Sequence, residues 1–149
     1  MKDVEPKLIM HYFLNPPKDK ANLIKEMRQL HVAPNGDTTV YWRFRMPMMS
    51  DRDNVALIRQ QELKDEGGIF VQCMTVDRDD VPLVKGVIRM EQSISAWVRP
   101  HPIDDSITVY TEIDNMDMKG NIPSSLMNML LASEVGKEFE SMYKGIRKQ

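Results

Sequence analysis

With Cys73 as its one cysteine, the chain has no internal disulfide, and a reducing compartment is its natural setting. No apolar run approaches the roughly twenty residues of a membrane-spanning helix. The opening residues, MKDVEPKLIM, lack the apolar core of a secretory signal peptide. Neither sign of charge is in marked excess. The formal net charge is -2, whereas a protein that binds a nucleic-acid backbone normally carries a basic surplus. The patterns of enzyme chemistry are missing too. His11, His31 and His101 are scattered, lie near no cysteine and show no metal-ligand spacing. There is no Gly-rich phosphate loop, no Gly-x-Ser-x-Gly and no paired-carboxylate signature. Cys73 lies in the middle of a strand-like run, where a thiol is ordinarily inert packing. These absences point to a non-enzymatic, cytoplasmic protein with no metal, no cofactor and no nucleic-acid partner.

What is present is an ordinary globular composition with one unusual number. The 149 residues suit a single domain, long enough to bury roughly 70% of its unfolded surface. Hydrophobic residues make up 42% and charged residues 28%. There are 13 methionines, a polarizable and unbranched residue that fills irregular gaps and lines adaptable apolar surfaces. Two readings stand: a core that uses Met freely, or a pliable wall around a flexible ligand.

Along the chain, a short helical candidate over 3–14 ends at Asn15-Pro16-Pro17. Strand candidates then alternate with turns. The first, 22–32, breaks at Pro34-Asn35-Gly36-Asp37. The second, 38–46, puts Val40, Trp42, Phe44 and Met46 on one face, and Pro47 closes it. The third and fourth are 53–63 and 69–76, separated by Asp65-Glu66-Gly67-Gly68. A long fifth strand, 85–98, carries Ile88, Met90, Ile94, Ala96 and Val98 on one face. The sixth, 106–114, carries Ile107, Val109 and Ile113 on one face. Short turns between these runs imply antiparallel pairing, because a parallel return needs a crossover of about a dozen residues or more.

A long helix follows from near Ile122, with Pro123 in its first turn, where a missing N–H costs nothing. Leu126, Met127, Met129, Leu130 and Leu131 cover well over half of its circumference. So apolar an opening lies between two apolar surfaces, or between a sheet and an apolar ligand. Its second half narrows to one stripe: Met127, Leu131, Val135, Phe139, Met142 and Ile146. The early part is therefore expected to be enclosed and the late part half-solvated. Gly136 sits in mid-helix, and close approach to the sheet is one reason for it. The fold class expected is α+β, a curved antiparallel sheet holding one long terminal helix.

Three segments carry a family resemblance. Arg45-Met46-Pro47 followed by Ser50-Asp51-Arg52-Asp53 is similar to a strand, Pro-containing loop and Ser-x-Arg-Asp motif. Val84-Lys85-Gly86-Val87-Ile88-Arg89 is similar to a Gly-Tyr-Val-Arg strand opening, with Val87 where an aromatic is common. Asp117-Met118-Lys119-Gly120-Asn121-Ile122-Pro123, followed by Leu126-Met127-Asn128, is similar to Asp-Pro-Lys-Gly-x-Ile-Pro-x-x-Leu-Val-Asn. In this order, from about residue 22 to residue 148, the chain resembles the START family, the steroidogenic-acute-regulatory-related lipid-transfer domains. The resemblance implies a helix-grip fold enclosing a tunnel for one lipid or sterol, carried or sensed without covalent chemistry. It also implies a helix and three further strands ahead of the point where this chain begins. Residues 1–149 are therefore read as one START-like domain without them, a shortened member or a piece of a longer protein.

A carrier must replace the shelter of a bilayer. Each methylene is worth about 0.8 kcal/mol, so a chain of roughly sixteen carbons needs about 13 kcal/mol. The lining candidates are Trp42, Phe44, Met74, Met90, Leu126, Met127, Leu130 and Leu131, which otherwise pack on one another. A few polar groups in such a wall would confer specificity. The resemblance points to an acidic residue on the first strand, Glu26, and to a strand arginine, Arg59. Arg59 stands one position later than is usual, which reverses its face unless a bulge absorbs the shift. Arg52 and Asp53 are read as fastening a loop to the sheet. The loop 99–105 and the amino end of the helix, 121–130, form the expected gate. Lys144, Arg147 and Lys148 either complement the helix dipole or touch anionic lipid heads transiently, at about 1 kcal/mol per charge. Two other readings share this fold: a helix-grip cyclase acting on a polyketide, and a regulatory module that uses an open sheet edge to bind a partner or a second copy.

Overall fold

The computed structural model describes residues 1–2, 4–14, 23–65 and 67–146, without the side chains of residues 10, 12–14, 130–135 and 138. Helix α1 (Pro6–Leu14) precedes strands β1 (Ile24–Val32), β2 (Thr38–Phe44), β3 (Arg52–Leu63) and β4 (Gly68–Thr75). Strands β5 (Ile88–Arg89), β6 (Glu91–Pro100) and β7 (Thr108–Asp117) follow, then helix α2 (Ser124–Ile146). The described strands form one seven-stranded sheet in the order β1-β2-β3-β4-β6-β7, with β5 beside β3. Every pairing on that path is antiparallel, as the short turns require.

The expected fifth strand is two strands. Met90 N–H donates to the Asp53 carbonyl at 2.9 Å, and there the chain leaves β3 to run between β4 and β7. Before that point β5 pairs with β3 in parallel, Arg52 opposite Ile88, which alternation alone could not show. The 33–37 turn forms as expected: Gly36 takes φ 90°, and the Asn35 side chain accepts the Asp37 N–H at 3.1 Å. At the start of β4, a Cβ on Gly68 would lie 2.8 Å from the Val98 carbonyl oxygen, so only glycine lets β4 and β6 meet there.

The strand ends define two ends of the sheet. The lower end carries the 33–37, 64–67 and 101–107 turns; the upper end carries 45–51, 76–87 and 118–123. Cross-strand register divides the residues between two faces. The row Ile58, Cys73, Ile94 and the row Val71, Ala96 belong to the helix-covered face, where Val40, Trp42 and Ala56 also lie. There they join Val4 and Ile9 of the amino-terminal segment and Met142 and Ile146 of α2 in one buried cluster. The opposite face has a smaller cluster, Tyr41 and Val55, closed by Val81 from the 76–87 loop.

Two fastenings set the helices. At the lower end the Met1 ammonium donates to the Thr108 carbonyl at 2.6 Å, and Thr108 N–H returns a bond to Met1 at 2.7 Å. At the upper end buried Arg52 donates Nε to the Met118 carbonyl (3.0 Å), Nη1 to Ser50 (2.6 Å) and Nη2 to Lys119 (3.2 Å). Lys119 and Gly120 both take positive φ, 52° and 79°, and turn the chain from β7 into α2. Asp53, one residue on and facing the other way, grips Arg89 at 2.7 and 3.1 Å. The expected loop-fastening role of Arg52 and Asp53 is thus seen in detail.

Among its described side chains, helix α2 is half-solvated in its second half, as expected, but more open at its start than expected. Met142 and Ile146, near its end, are buried at 5% and 4% exposure, whereas Met129 near its start is 53% exposed. The late stripe is held by α1 and the lower sheet, and Phe139 stands edge-on to Tyr110 with ring centroids 5.6 Å apart. A Cβ on Gly136 would meet nothing within 4 Å, so close approach to the sheet does not account for that glycine.

Candidate functional site on the helix-covered face

Of the expected lining residues, Trp42 and Phe44 lie on the helix-covered face of β2, with ring centroids 6.2 Å apart. Leu126 and Met127 are half-buried in the first turns of α2. Leu130 and Leu131 lie outside the described residues as far as their side chains go. Met90 is buried at the β5–β6 junction, outside both apolar clusters.

Three candidates lie on the opposite face of the sheet. Met74 pairs with Leu57 and Ser93, in the face row opposite to Cys73, and borders an open depression of about 360 Å³ beside Asp77 and Glu91. Phe70 and Met74 make both faces of β4 apolar, so alternation could not assign its inward side; pairing with Ile58 and Ile94 does. Glu26 pairs in register with Arg43 and bridges to Arg28 at 2.8 Å on that outer face. Arg59 pairs with Gln72 and bridges to Asp37 at 2.9 Å. No bulge interrupts β3 against β2 or β4, so the one-position offset does reverse Arg59. The expected gate fails on the same geometry. The loop after Pro100 is at the lower end and α2 begins at the upper end, and the ten-residue strand β7 between them spans about 30 Å. Lys144 is engaged by Glu140 at 3.0 Å, while Arg147 and Lys148 lie outside the described residues.

In place of the Glu26–Arg59 pair, the helix-covered face offers a polar row. Asn54, on β3, donates Nδ2 to Thr75 Oγ1 at 2.9 Å. The same oxygen accepts Gln92 N–H at 2.8 Å and donates to the Gln92 carbonyl at 3.2 Å. Gln92 Nε2 donates to Asp114 Oδ2 at 2.9 Å. Two positions back on the same face of β7, Glu112 accepts a hydrogen bond from the Tyr110 hydroxyl. Asn54 and Gln92 are buried. Asp114 and Glu112 are open to water.

Their electrostatics describe the surroundings. Burial pushes both carboxyls above their ordinary pKa values, although Gln92 and Tyr110 pull in the other direction. Burial, with help from Asp114 and Glu112, raises the Cys73 thiol to about 12 and keeps the thiol un-ionised. Asp51 at the upper end is the reverse case. Burial opposes its ionisation, but hydrogen bonds and charge from Lys25 and Arg43 hold it below the usual range.

Sequence reading missed this row by following the apolar residues of β7. Val109 and Ile113 alternate cleanly, but Ile113 is 70% exposed on the outer face. The signal available was the other register, Tyr110, Glu112, Asp114 and Met116.

No protein-family model matches the sequence, and no curated protein is similar to it in sequence. Solved structures do match. Human StAR-related lipid transfer protein 5 superposes with a TM-score of 0.81 at 13% identity, over 99% of this chain and 72% of that one. Human STARD10 gives 0.83 at 18% identity, over 98% of this chain and 60% of that one. A STAR-related lipid transfer protein fragment from Xanthomonas axonopodis gives 0.75 at 18% identity, over 98% and 81%. Across nearly its whole length, the chain has the helix-grip fold of the START domains.

Proposed function

We propose that this chain binds one hydrophobic ligand, a lipid or sterol, between the upper half of its sheet and the start of α2, and carries it without covalent chemistry. The observation that supports this most is the fold match over 98–99% of the chain to proteins whose names describe lipid transfer. The state of α2 agrees with it. The amino end of the helix exposes Met129 and leaves Leu126 and Met127 half-covered, apolar surface that suits an apolar tail. Loading and release imply transient contact with a membrane surface. No described helix is long and apolar enough to cross a membrane. The single buried thiol suits a reducing compartment such as the cytoplasm.

Native mass spectrometry of the purified chain, with solvent extraction of whatever accompanies it, tests this reading. The expected result is one lipid per chain, or stoichiometric uptake on incubation with mixed-lipid vesicles. A chain that emerges empty and stays empty after vesicle incubation refutes it.

A further inference from the structure

The two end strands of the sheet are finished differently. β1 makes two register shifts against β2 and carries Lys25, Arg28 and His31. Bulges and basic side chains are ordinary means of keeping an end strand from pairing with another chain. β7 has neither. Its register with β6 is unbroken from Thr108 to Asp117, and that run holds no lysine, arginine or proline. Residues 111–115 are all exposed, Ile113 at 70%.

The outer side of β7 is able to pair. Met1 exchanges two backbone hydrogen bonds with Thr108 there, at 2.6 and 2.7 Å. In an antiparallel ladder every second residue turns its N–H and C=O toward the same neighbour. The Ile107 carbonyl accepts His101 N–H on the β6 side, so Thr108 and, at steps of two, Glu112, Asp114 and Met116 turn outward. Among the described residues, nothing pairs with the outward backbone groups of Glu112, Asp114 and Met116. The side chains say what fits. Glu112 and Asp114 lie on the helix-covered face, and the partners they accept from, Tyr110 and Gln92, are neutral. Ile113, between them, lies on the outer face. Two copies of β7 paired centre to centre would set Glu112 opposite Asp114, and like charges directly opposite are destabilising.

We propose that the outer edge of β7 docks an extended segment of a partner protein, which joins the sheet as an antiparallel strand with the pattern basic–apolar–basic. Its two basic side chains stand opposite Glu112 and Asp114 on the helix-covered face. The apolar residue between them stands opposite Ile113, in a non-hydrogen-bonded pair, where side chains approach most closely. Main-chain bonds to Glu112, Asp114 and Met116 supply affinity, and the alternation of side chains selects the partner. The surface belongs to the edge of the sheet, so it does not depend on what the helix-covered face holds.

Fluorescent peptides of about nine residues, long enough to cover β7, test this on the native chain by titration. One alternates Lys and Val, and one holds the same residues in two blocks. Two more are the alternating peptide with N-methyl groups on the backbone nitrogens of the lysines, which face β7, or of the valines, which face away. The alternating peptide is expected to bind at least about tenfold more tightly than the block peptide, about one decade in equilibrium constant. Methylation at the lysines is expected to cost at least about tenfold, and methylation at the valines to change little. Hydrogen exchange of the Glu112, Asp114 and Met116 amides is expected to slow in the complex. The double variant Glu112→Gln, Asp114→Asn is expected to bind the alternating peptide about tenfold more weakly; if it fails to fold, the methylated peptides decide alone. No binding, equal binding of the alternating and block peptides, or equal losses from the two methylations overturns the proposal. So does protection of the same three amides without peptide in a chain that sediments as a dimer, because the occupant would then be a second copy.

Discussion

The two ends of the helix-covered face are built on different principles. At the lower end, Ile9 of α1, Val98 of β6 and Met142 and Ile146 of α2 interlock with at most 5% exposure, and the chain's own ammonium ties the segment down through Thr108. At the upper end the same sheet presents Asn54, Thr75, Gln92 and Asp114, and the helix above it leaves Leu126 and Met127 half-covered. Among the described residues, one end is a closed core, and the other carries polar side chains under a half-covered helical turn.

The sharpest way to break that contrast is to truncate one side chain at each end. Ile9→Ala removes a side chain with 0% exposure from a closed cluster and is expected to cost about 2–5 kcal/mol of stability. Leu126→Ala, from the half-covered turn, is expected to cost less than about 1 kcal/mol while reducing lipid uptake. Denaturant unfolding, read beside vesicle extraction, measures both. Equal stability losses at the two sites would show that the upper end is as tightly packed as the lower.

How far this contrast was legible in the sequence depended on which residues mark a face without ambiguity. In β2, the row Val40, Trp42, Phe44 against Arg43 and Arg45 left one choice, and the structure agrees. In β4 and β7 both faces carry apolar side chains, so alternation gave two solutions; cross-strand register, a long-range property, picks between them. The helix misled for a related reason. Its first turns are the most apolar part of α2, but burial depends on what α1 and the N-terminal tie supply, and those meet the other end. Arg52 and the Lys119-Gly120 turn, by contrast, were readable as architecture because local motif and global fold ask for the same geometry there.

Titration offers a finer test of the upper end. In the folded chain Asp114 and Glu112 have pKa values above their ordinary 3.8 and 4.5, so across that interval the folded state keeps protons that the unfolded state has released. The stability these groups contribute is fully present below the ordinary values and is lost as pH rises through the folded ones. Asp51, with its pKa lowered by Lys25 and Arg43, works the other way: its contribution is present above the ordinary value and is lost as pH falls. The double variant Glu112→Gln, Asp114→Asn is therefore expected to gain thermal stability relative to the native chain between about pH 4 and about pH 7. A difference between the two that does not change across this range would mean that the carboxyls stand in open water.

The smallest expected effect comes from the face where Glu26 and Arg59 lie. Their partners, Arg28 and Asp37, form exposed ion pairs at 2.8 and 2.9 Å, a class of interaction worth about 0–1 kcal/mol. Glu26→Gln and Arg59→Gln are expected to shift stability within that range and to leave lipid uptake as it was, because the sheet stands between them and the helix-covered face. Leu126→Ala, on the helix side of that same sheet, is the substitution expected to lower uptake. If the order came out reversed, with Arg59→Gln abolishing uptake and Leu126→Ala doing nothing, the ligand would have to sit on the outer face. The depression beside Met74, Asp77 and Glu91 would then become the place to look.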